Sequence, residues 1–177
     1  MHYKALQDDK TYLCYHGYNC ETRNHMSGVF WGRANGWIIY STTVILQEVN
    51  EFIGRDLLLS MLARHIRAIA KFQRNNGMFG TILNDDTAYD EISASAAISA
   101  GIKKAVDYGF VKQKYNMIYK KFMDNYKNFV NEDGEVLGVS TGTPIMPSAE
   151  DYKKIPICPT LYGQGLMLLA ILPDAML

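Results

Sequence analysis

Two short aromatic segments contain the residues best suited to bind a ligand. They are the run YHGY at residues 15–18 and the run FWGRANGW at residues 30–37. Indole rings stack on the faces of pyranose sugars, and a guanidinium group binds a carboxylate through two parallel hydrogen bonds. His16, Trp31, Arg33 and Trp37 therefore predict a site for a sugar acid.

The same residue types have a structural interpretation. Trp37 opens an apolar helix, where it could simply pack in the core, and Arg33 could pair with an acidic residue of its own chain. Composition alone leaves both interpretations open.

Length and charge narrow the class of protein. A chain of 177 residues is long enough for one domain with a substantial core, so we expect residues 1–177 to form a single domain. Eighteen basic and eighteen acidic residues give a net charge of zero. This balance disfavours nucleic acid, anionic membranes and other polyanions as partners. No stretch approaches the ~20 apolar residues of a membrane span.

The three cysteines argue against a disulfide framework because their number is odd and no CxxC pair occurs. Reduced thiols fit a cytoplasmic protein. Cys14, His16 and Cys20 could supply part of a zinc site, but structural zinc takes four ligands and Cys158 has no second ligand beside it. We expect neither a metal nor another cofactor.

Apolar periodicity predicts five helices joined by connections rich in glycine and aromatic residues. The predicted helices span residues 37–53, 56–74, 90–106, 111–129 and 161–172. Asp56 is the predicted cap of the second, and the small residues of the third should let a neighbouring helix approach closely. Residues 1–35 are predicted to be loop with one short helix end at most. Such paired helices form either a small bundle or an arc of a larger α/α toroid.

Four motifs resemble those of glycoside hydrolase families 88 and 105, the unsaturated glucuronyl and rhamnogalacturonyl hydrolases. They are LCYHGY followed by FWGRANGWIIYS, then GMFGTILNDDTAYDEISASAAISAGIKKAV, then DGEVLGVSTGT, and finally PTLYGQGLMLLA. Their order and spacing are similar to the family's over nearly the whole chain. The resemblance implies an all-α fold, a partial (α/α)6 barrel of helical hairpins with short extended segments in the loops.

The resemblance also implies a reaction without a cofactor. Its substrate is an unsaturated uronyl oligosaccharide, which a polysaccharide lyase produces during degradation of a polymer such as pectin. An aspartic acid protonates C4 of the enol ether, water adds at C5, and the hemiketal opens to release the next sugar.

Carried over by position, the resemblance gives each segment a role. His16 would contact the unsaturated sugar, Trp31 and Trp37 would form pocket walls, and Arg33 would hold the substrate or the acidic group. The residues that would line the site toward the leaving sugar are Ser140, Thr141 and Thr143.

The chain departs from the family pattern in its length and its acids. Family members are about twice as long, and their catalytic aspartate lies in an aromatic motif N-terminal to the Tyr-His segment. Only Asp8 and Asp9 precede His16, and relatives have Trp-His where this chain has Phe79-Gly80. The sequence is therefore expected to be the C-terminal half of the barrel, with its catalytic residue unknown.

Half a barrel is expected to be inactive alone and to associate with itself or with a separate N-terminal half. A group of acids at residues 85–91 offers substitutes for the missing aspartate, although capping and solvation explain acids in a loop before a helix equally well. Among them, Glu91 is predicted to hold the loop in place. A non-catalytic sugar-binding module and a helical bundle without a ligand are the alternatives.

Overall fold

The computed structural model describes residues 2–172, and their regular structure is entirely helical. The α-helices are α1 His2–Leu6, α2 Gly32–Glu48, α3 Arg55–Ile69, α4 Ile92–Asp107, α5 Asn116–Met123, α6 Ala149–Lys153 and α7 Leu161–Ile171. Within the described range, β-type pairing occurs only as isolated bridges, such as Trp31 with Ile82 and Ser140 with Ile157. The predicted all-α class, with short extended segments in its loops, is confirmed.

Helix α4 is the centre of the fold. It packs against α2, α5 and α7, and most of its side chains are buried. One apolar cluster lies between α2, α3 and α4, and a second lies between α4, α5 and α7. Helices α2, α4 and α7 thus form one row, against which α3 and α5 pack. This is the arrangement of a partial (α/α)6 barrel.

The contact between α2 and α4 depends on small residues, as predicted. A Cβ atom added at Gly36 would lie 2.8 Å from Cβ of Ala97, and one at Gly101 would lie 2.9 Å from the backbone of Tyr40. Residues 32–35, which were predicted to be loop, are in fact the first turn of this closely packed helix. Helix α2 begins at Gly32, and the predicted start at Trp37 was wrong.

Other boundaries of the first two predicted helices also needed correction. Helix α2 ends at Glu48, and residues 49–53 are not helical. Gly54 precedes α3 with φ of 90°, a backbone conformation that glycine adopts without a steric penalty. Asp56 therefore lies in the first turn of α3 and is not its cap. The helix ends at Ile69 and continues as a 3-10 turn, Ala70–Phe72.

The predicted helix over residues 111–129 is three short pieces. They are the 3-10 turn Gln113–Tyr115, helix α5 and the 3-10 turn Tyr126–Phe129. The amide of Asn125 donates to the carbonyl of Lys121 at 2.9 Å and so helps to end α5. Apolar residues spaced three and four apart still face the two clusters, because a 3-10 turn and an α-turn return a side chain to the same face after three or four residues. The apolar period of residues 111–129 correctly predicted which side chains are buried, but its prediction of one continuous helix was wrong.

Helix α6 was not predicted. It has only five residues, it follows a proline-containing loop, and its N-cap is Ser148, whose hydroxyl accepts from the backbone of Asp151. None of the helices between residues 2 and 172 is long and apolar enough to cross a membrane.

Candidate functional site

Arg33, in the first turn of α2, joins three separate parts of the chain. Its side chain is almost completely buried, with 3% of the residue exposed. Nη1 donates to Oγ of Ser93 at 3.1 Å and to the carbonyl of Ser140 at 2.8 Å. Nη2 donates to the carbonyl of Thr141 at 3.0 Å and to Oγ1 of Thr143 at 3.1 Å. The guanidinium group thereby fixes the loop after residue 139 against α2 and α4.

Glu91 holds the same loop from the other side. Its carboxylate lies 3.6 Å from Nη1 of Arg33 and accepts from the backbone N–H of Ser140 at 2.9 Å. It also caps α4 by accepting from the backbone of Ala94 at 2.6 Å. The acid of its own chain with which Arg33 could pair is therefore Glu91. Its carboxylate holds the loop after residue 139, whereas the sequence predicted that Glu91 holds the acidic loop before α4.

Two aromatic rings enclose the guanidinium group. The ring centres of Trp31 and Tyr162 each lie 4.6 Å from Cζ of Arg33, and the hydroxyl of Tyr162 donates to the carbonyl of Ser140. The indole N–H of Trp31 is buried and has no hydrogen-bond partner among residues 2–172. Tyr162, from α7, was not among the predicted site residues, although it lies within the last of the four motifs.

His16 is placed beside this cluster by ring contacts and by one short hydrogen bond. Its ring centre lies 4.2 Å from that of Trp31, and Nδ1 lies 2.5 Å from the hydroxyl of Tyr152 in α6. Burial and the nearby charge of Arg33 lower the pKa of His16 to about 4. The imidazole is therefore neutral near pH 7. Tyr152 had no sequence signal, because α6 itself was not predicted.

Asn35 sets the position of the His16 segment, although it was not among the predicted site residues. Its Oδ1 accepts from the backbone of Cys14 and from Nε2 of His65, both at 2.8 Å. Its Nδ2 donates to the carbonyls of Cys14 and Trp31, also at 2.8 Å. Since carbonyls only accept, these partners fix the amide orientation and place the proton of His65 on Nε2. Burial lowers the pKa of His65 to about 3.

The cysteines considered as zinc ligands are in different environments. Cys14 is buried, which raises the pKa of its thiol to about 12, whereas Cys20 is exposed. In the described part of the chain, no three His, Cys, Asp or Glu side chains are grouped as metal ligands would be.

The remaining predicted residues are closer to solvent. Trp37 lies one turn after Arg33 on α2 and is 44% exposed. Thr141 and Thr143 are half-buried, and the hydroxyl of Thr143 donates to the carbonyl of Thr141 at 2.7 Å. Trp31 and Arg33 thus form the interior of the site, and His16, Trp37 and the threonine loop have solvent-accessible surface.

The motif matches and this geometry agree with a comparison to known families. The model of Glycosyl Hydrolase Family 88 matches residues 1–176. The chain belongs to this family. It is 35% identical over 169 residues to the unsaturated rhamnogalacturonyl hydrolase YesR of Bacillus subtilis, covering 94% of this chain and 47% of YesR. It is 27% identical over 147 residues to an unsaturated 3S-rhamnoglycuronyl hydrolase of Alteromonas, covering 80% and 34%.

Solved structures support the same assignment. A possible member of the GH105 family from Klebsiella pneumoniae superposes with a TM-score of 0.93 at 31% identity, over 97% of this chain and 46% of that one. The unsaturated glucuronyl hydrolase of Bacillus sp. GL1 has a TM-score of 0.72 at 15% identity, over 96% and 48%, which shows the shared fold alone. This family 88 chain spans about half the length of the relatives it matches.

The acids considered as substitutes for the family's aspartate are mostly engaged elsewhere. Asp85 pairs with Lys153 at 2.7 Å, and the hydrogen bond from Lys153 lowers the pKa of Asp85 to about 2. Asp90 pairs with Arg74 at 2.7 Å, and Asp86 is exposed at the surface. In this family 88 chain, therefore, the contacts of Asp85, Asp90 and Glu91 are those of structural residues.

Proposed function

We propose that this chain is the C-terminal half of an (α/α)6 barrel that releases unsaturated uronic acid from lyase-generated oligosaccharides. The observation that carries the proposal is the convergence of all four motifs on Arg33. His16 and Trp31 come from the first motif, Ser93 from the second, the threonine loop from the third and Tyr162 from the fourth. The segments that resemble the family are the segments that build this one site.

In the proposed reaction, water is added across the C4–C5 double bond of the unsaturated uronate. An acid delivers a proton to C4, water supplies the hydroxyl group at C5, and the conjugate base of the acid takes up the other proton of that water. The C5 hemiketal then opens by breaking C5–O5, which leaves a ketone at C5 and a hemiacetal at C1. Collapse of the hemiacetal to an aldehyde breaks the C1–O bond and releases the leaving sugar with the proton on its oxygen. Trp37 would contact the sugar ring, and the threonine loop would face the leaving sugar. The terminal nitrogens of Arg33 already donate four hydrogen bonds, so its proposed role is to hold that loop in place.

His16 is proposed to act as a neutral hydrogen-bond donor to the substrate. The hydroxyl of Tyr152 accepts from the backbone N–H of Met146 at 3.3 Å, which leaves its own proton to donate to Nδ1 of His16. In that arrangement the proton of His16 is on Nε2. A lowered pKa keeps the ring from acting as the acid that protonates C4.

The general acid is proposed to come from the other half of the barrel. The engaged states of Asp85, Asp90 and Glu91 favour this source over an acid of the described chain. The chain alone is then inactive. Its free thiols, one of them buried, fit a reducing compartment, and on this basis we propose a cytoplasmic location.

Association with another chain is part of the proposal. Helix α7 is apolar on all sides, which is typical of a buried helix. Two of its leucines, Leu161 and Leu168, nevertheless face solvent at 93% and 52% exposure, as does Leu172 directly after the helix at 54%. We propose that the missing half, or a second copy of this chain, covers them. Light scattering of the purified chain, with and without an added N-terminal half of a relative, distinguishes the two partners.

The direct test follows the ultraviolet absorbance of the enol ether in an unsaturated rhamnogalacturonan disaccharide. The chain alone should leave the absorbance unchanged. Addition of the N-terminal half of a full-length relative should start its decay, and His16→Ala should slow that decay, whereas Lys127→Ala, on an exposed turn, should not. Decay with the unaided chain would overturn the proposed source of the acid, and Asp85→Asn, Asp86→Asn and Asp90→Asn would then locate the acid.

A sugar-binding module without catalysis is the second candidate. It is favoured by the same observation that Asp85, Asp90 and Glu91 are engaged while the site around His16 is retained. Calorimetry separates the candidates. Micromolar binding of the unsaturated disaccharide to the chain, with no turnover after the other half is added, would support the module and contradict the hydrolase.

A further inference from the structure

A cleft of about 340 Å³ lies on the exposed side of α3, outside the proposed active site. Four of its lining residues are basic: Lys10, Arg64, Arg67 and Lys71. Lys10 comes from the loop after α1, and the others follow one another at spacings of three and four along α3 and the turn after it. Such spacing places side chains on one face of a helix. The fold thus presents a row of cations beside the N-terminal loop.

A second cleft, of about 500 Å³, adjoins the first and shares Arg67 with it. Its other basic residues are Lys112 and Lys114, from the segment before α5. We call the six residues the α3 basic face: Lys10, Arg64, Arg67, Lys71, Lys112 and Lys114. One third of the 18 basic residues of the chain therefore line two neighbouring clefts.

Among residues 2–172, no carboxylate forms an ion pair with the α3 basic face, and the neighbouring Asp8 carboxylate accepts hydrogen bonds from the backbone of Lys10 and from Thr11. Neither cleft is lined by an acidic residue, and residues 57–82 contain no Asp or Glu. Among residues 2–172, the ion pairs to carboxylates involve Arg33, Arg74, Lys103 and Lys153, all outside the face. A chain of zero net charge thus carries a local positive surface.

Each cleft also contains an aromatic ring beside a cation. Tyr12 is 37% exposed and has φ of 61°, a left-handed conformation that costs a tyrosine free energy. Arg64 lies 5.7 Å from the centre of its ring. In the second cleft, Nζ of Lys114 lies 5.2 Å from the ring of Tyr115. Aromatic faces and cations together suit a ligand with both sugar rings and negative charges.

From these features we infer that the α3 basic face is an auxiliary binding site for an acidic oligosaccharide, separate from the site around Arg33. Carboxylates of successive uronic acids would bind Arg67 and its neighbours, and one sugar ring would stack on Tyr12. The choice of carboxylates over phosphates rests on the proposed function, because the proposed substrate comes from a uronic acid polymer. Such a site would keep an acidic oligosaccharide on the enzyme between turnovers.

The test is a calorimetric titration of the intact chain with a saturated oligogalacturonate at low ionic strength. Arg67→Glu, in the residue shared by both clefts, should weaken binding at least about tenfold, since one attraction is replaced by one repulsion. Lys127→Glu makes the same change of charge at an exposed position outside the clefts and should weaken binding less than about twofold. Equal effects of the two variants would overturn the inference, as would undetectable binding by the unaltered chain.

A second variant separates sugar recognition from general attraction of anions. Tyr12→Ala should weaken oligogalacturonate binding about threefold to tenfold at unchanged charge. It should leave the binding of inorganic polyphosphate unaltered, because that polyanion has no ring to stack on Tyr12. If polyphosphate binds as tightly as oligogalacturonate and Tyr12→Ala has no effect on either, the face is a general anion patch and the inference is wrong.

The two proposals can fail separately. Saturated oligogalacturonate has no enol ether, so its binding does not report on hydrolysis. If oligogalacturonate binding depends on Arg67 but the assembled barrel does not hydrolyse the unsaturated disaccharide, only the proposed function is wrong. If the assembled barrel hydrolyses the disaccharide but oligogalacturonate binding does not depend on Arg67, only the inference of an auxiliary site is wrong.

Discussion

The site around Arg33 and the α3 basic face place arginine in opposite environments. Arg33 is buried between two rings, beside a carboxylate and with four hydrogen bonds from its terminal nitrogens. Arg67 is exposed, and the clefts beside it contain no acid. A buried charge that is fully paired fixes the shape of a site, whereas an exposed charge without a partner can bind a ligand. The two regions should therefore respond oppositely to mutation.

Arg33→Met should give the largest loss of stability. The substitution leaves the Glu91 carboxylate buried without its cation, and breaking a buried pair from one side costs about 3–5 kcal/mol of unfolding free energy. Urea denaturation measures the loss. The double variant Arg33→Met, Glu91→Gln should lose less than Arg33→Met alone, because no charge then stays buried and unpaired. A loss below about 1 kcal/mol for Arg33→Met would show that the buried pair does not stabilise the fold.

Asn35→Ala should have the next largest effect. It removes four buried hydrogen bonds at once and leaves the backbone of Cys14 and Nε2 of His65 without these partners, at a cost of about 3 kcal/mol. Ser99→Ala is the matched control. Its buried hydroxyl has no hydrogen-bond partner in the described residues, so the change should be neutral or slightly stabilising. Equal losses in the two variants would show that the Asn35 network does not stabilise the fold.

Titration of the buried histidines should give a smaller, pH-dependent effect. The pKa of His16 is about 4 and that of His65 about 3, below the ordinary value of 6.5. Below about pH 6.5 the unfolded chain binds more protons than the folded chain, so the unfolding free energy should fall as the pH drops toward these pKa values. Above that pH the two histidines should contribute no pH dependence. An NMR titration in which either imidazole changes charge near pH 6.5 would contradict this expectation.

The same NMR experiment sharpens the role of Tyr152. Nitrogen shifts should show the proton of His16 on Nε2, and Tyr152→Phe should shift the tautomer balance toward Nδ1–H by removing the donor to Nδ1. The spectrum of His65, whose tautomer depends on Asn35, serves as the internal control and should stay unchanged. A proton on Nδ1 of His16 in the unaltered chain would rule out the proposed donor role.

Arg67→Ala should have the smallest effect on stability. The side chain is exposed and forms no ion pair among residues 2–172, so its removal should change the unfolding free energy by less than about 0.5 kcal/mol. Thermal unfolding at low ionic strength is the measurement. A loss comparable to that of Arg33→Met would show that the α3 basic face is structural.

The apolar period of the sequence predicted which faces are buried, and its errors have physical causes. The glycines at the start of α2 suggested a loop because their contact with α4 is not local in sequence. The stripe over residues 111–129 suggested one helix because 3-10 turns keep nearly the same spacing of side chains as an α-helix. Helix α6 is too short for a period, and Tyr152, which it carries, was missed with it.

By itself, the sequence determined the helical class, the family and the residue types of the candidate site, because periodicity and motif order are properties of the chain. Only the tertiary structure decided how those residues are used. It buried Arg33 and paired it with Glu91, and it assigned Asn35 to hold the His16 segment. It also gathered basic residues from three segments on one face, although the net charge is zero, because net charge contains no information about position.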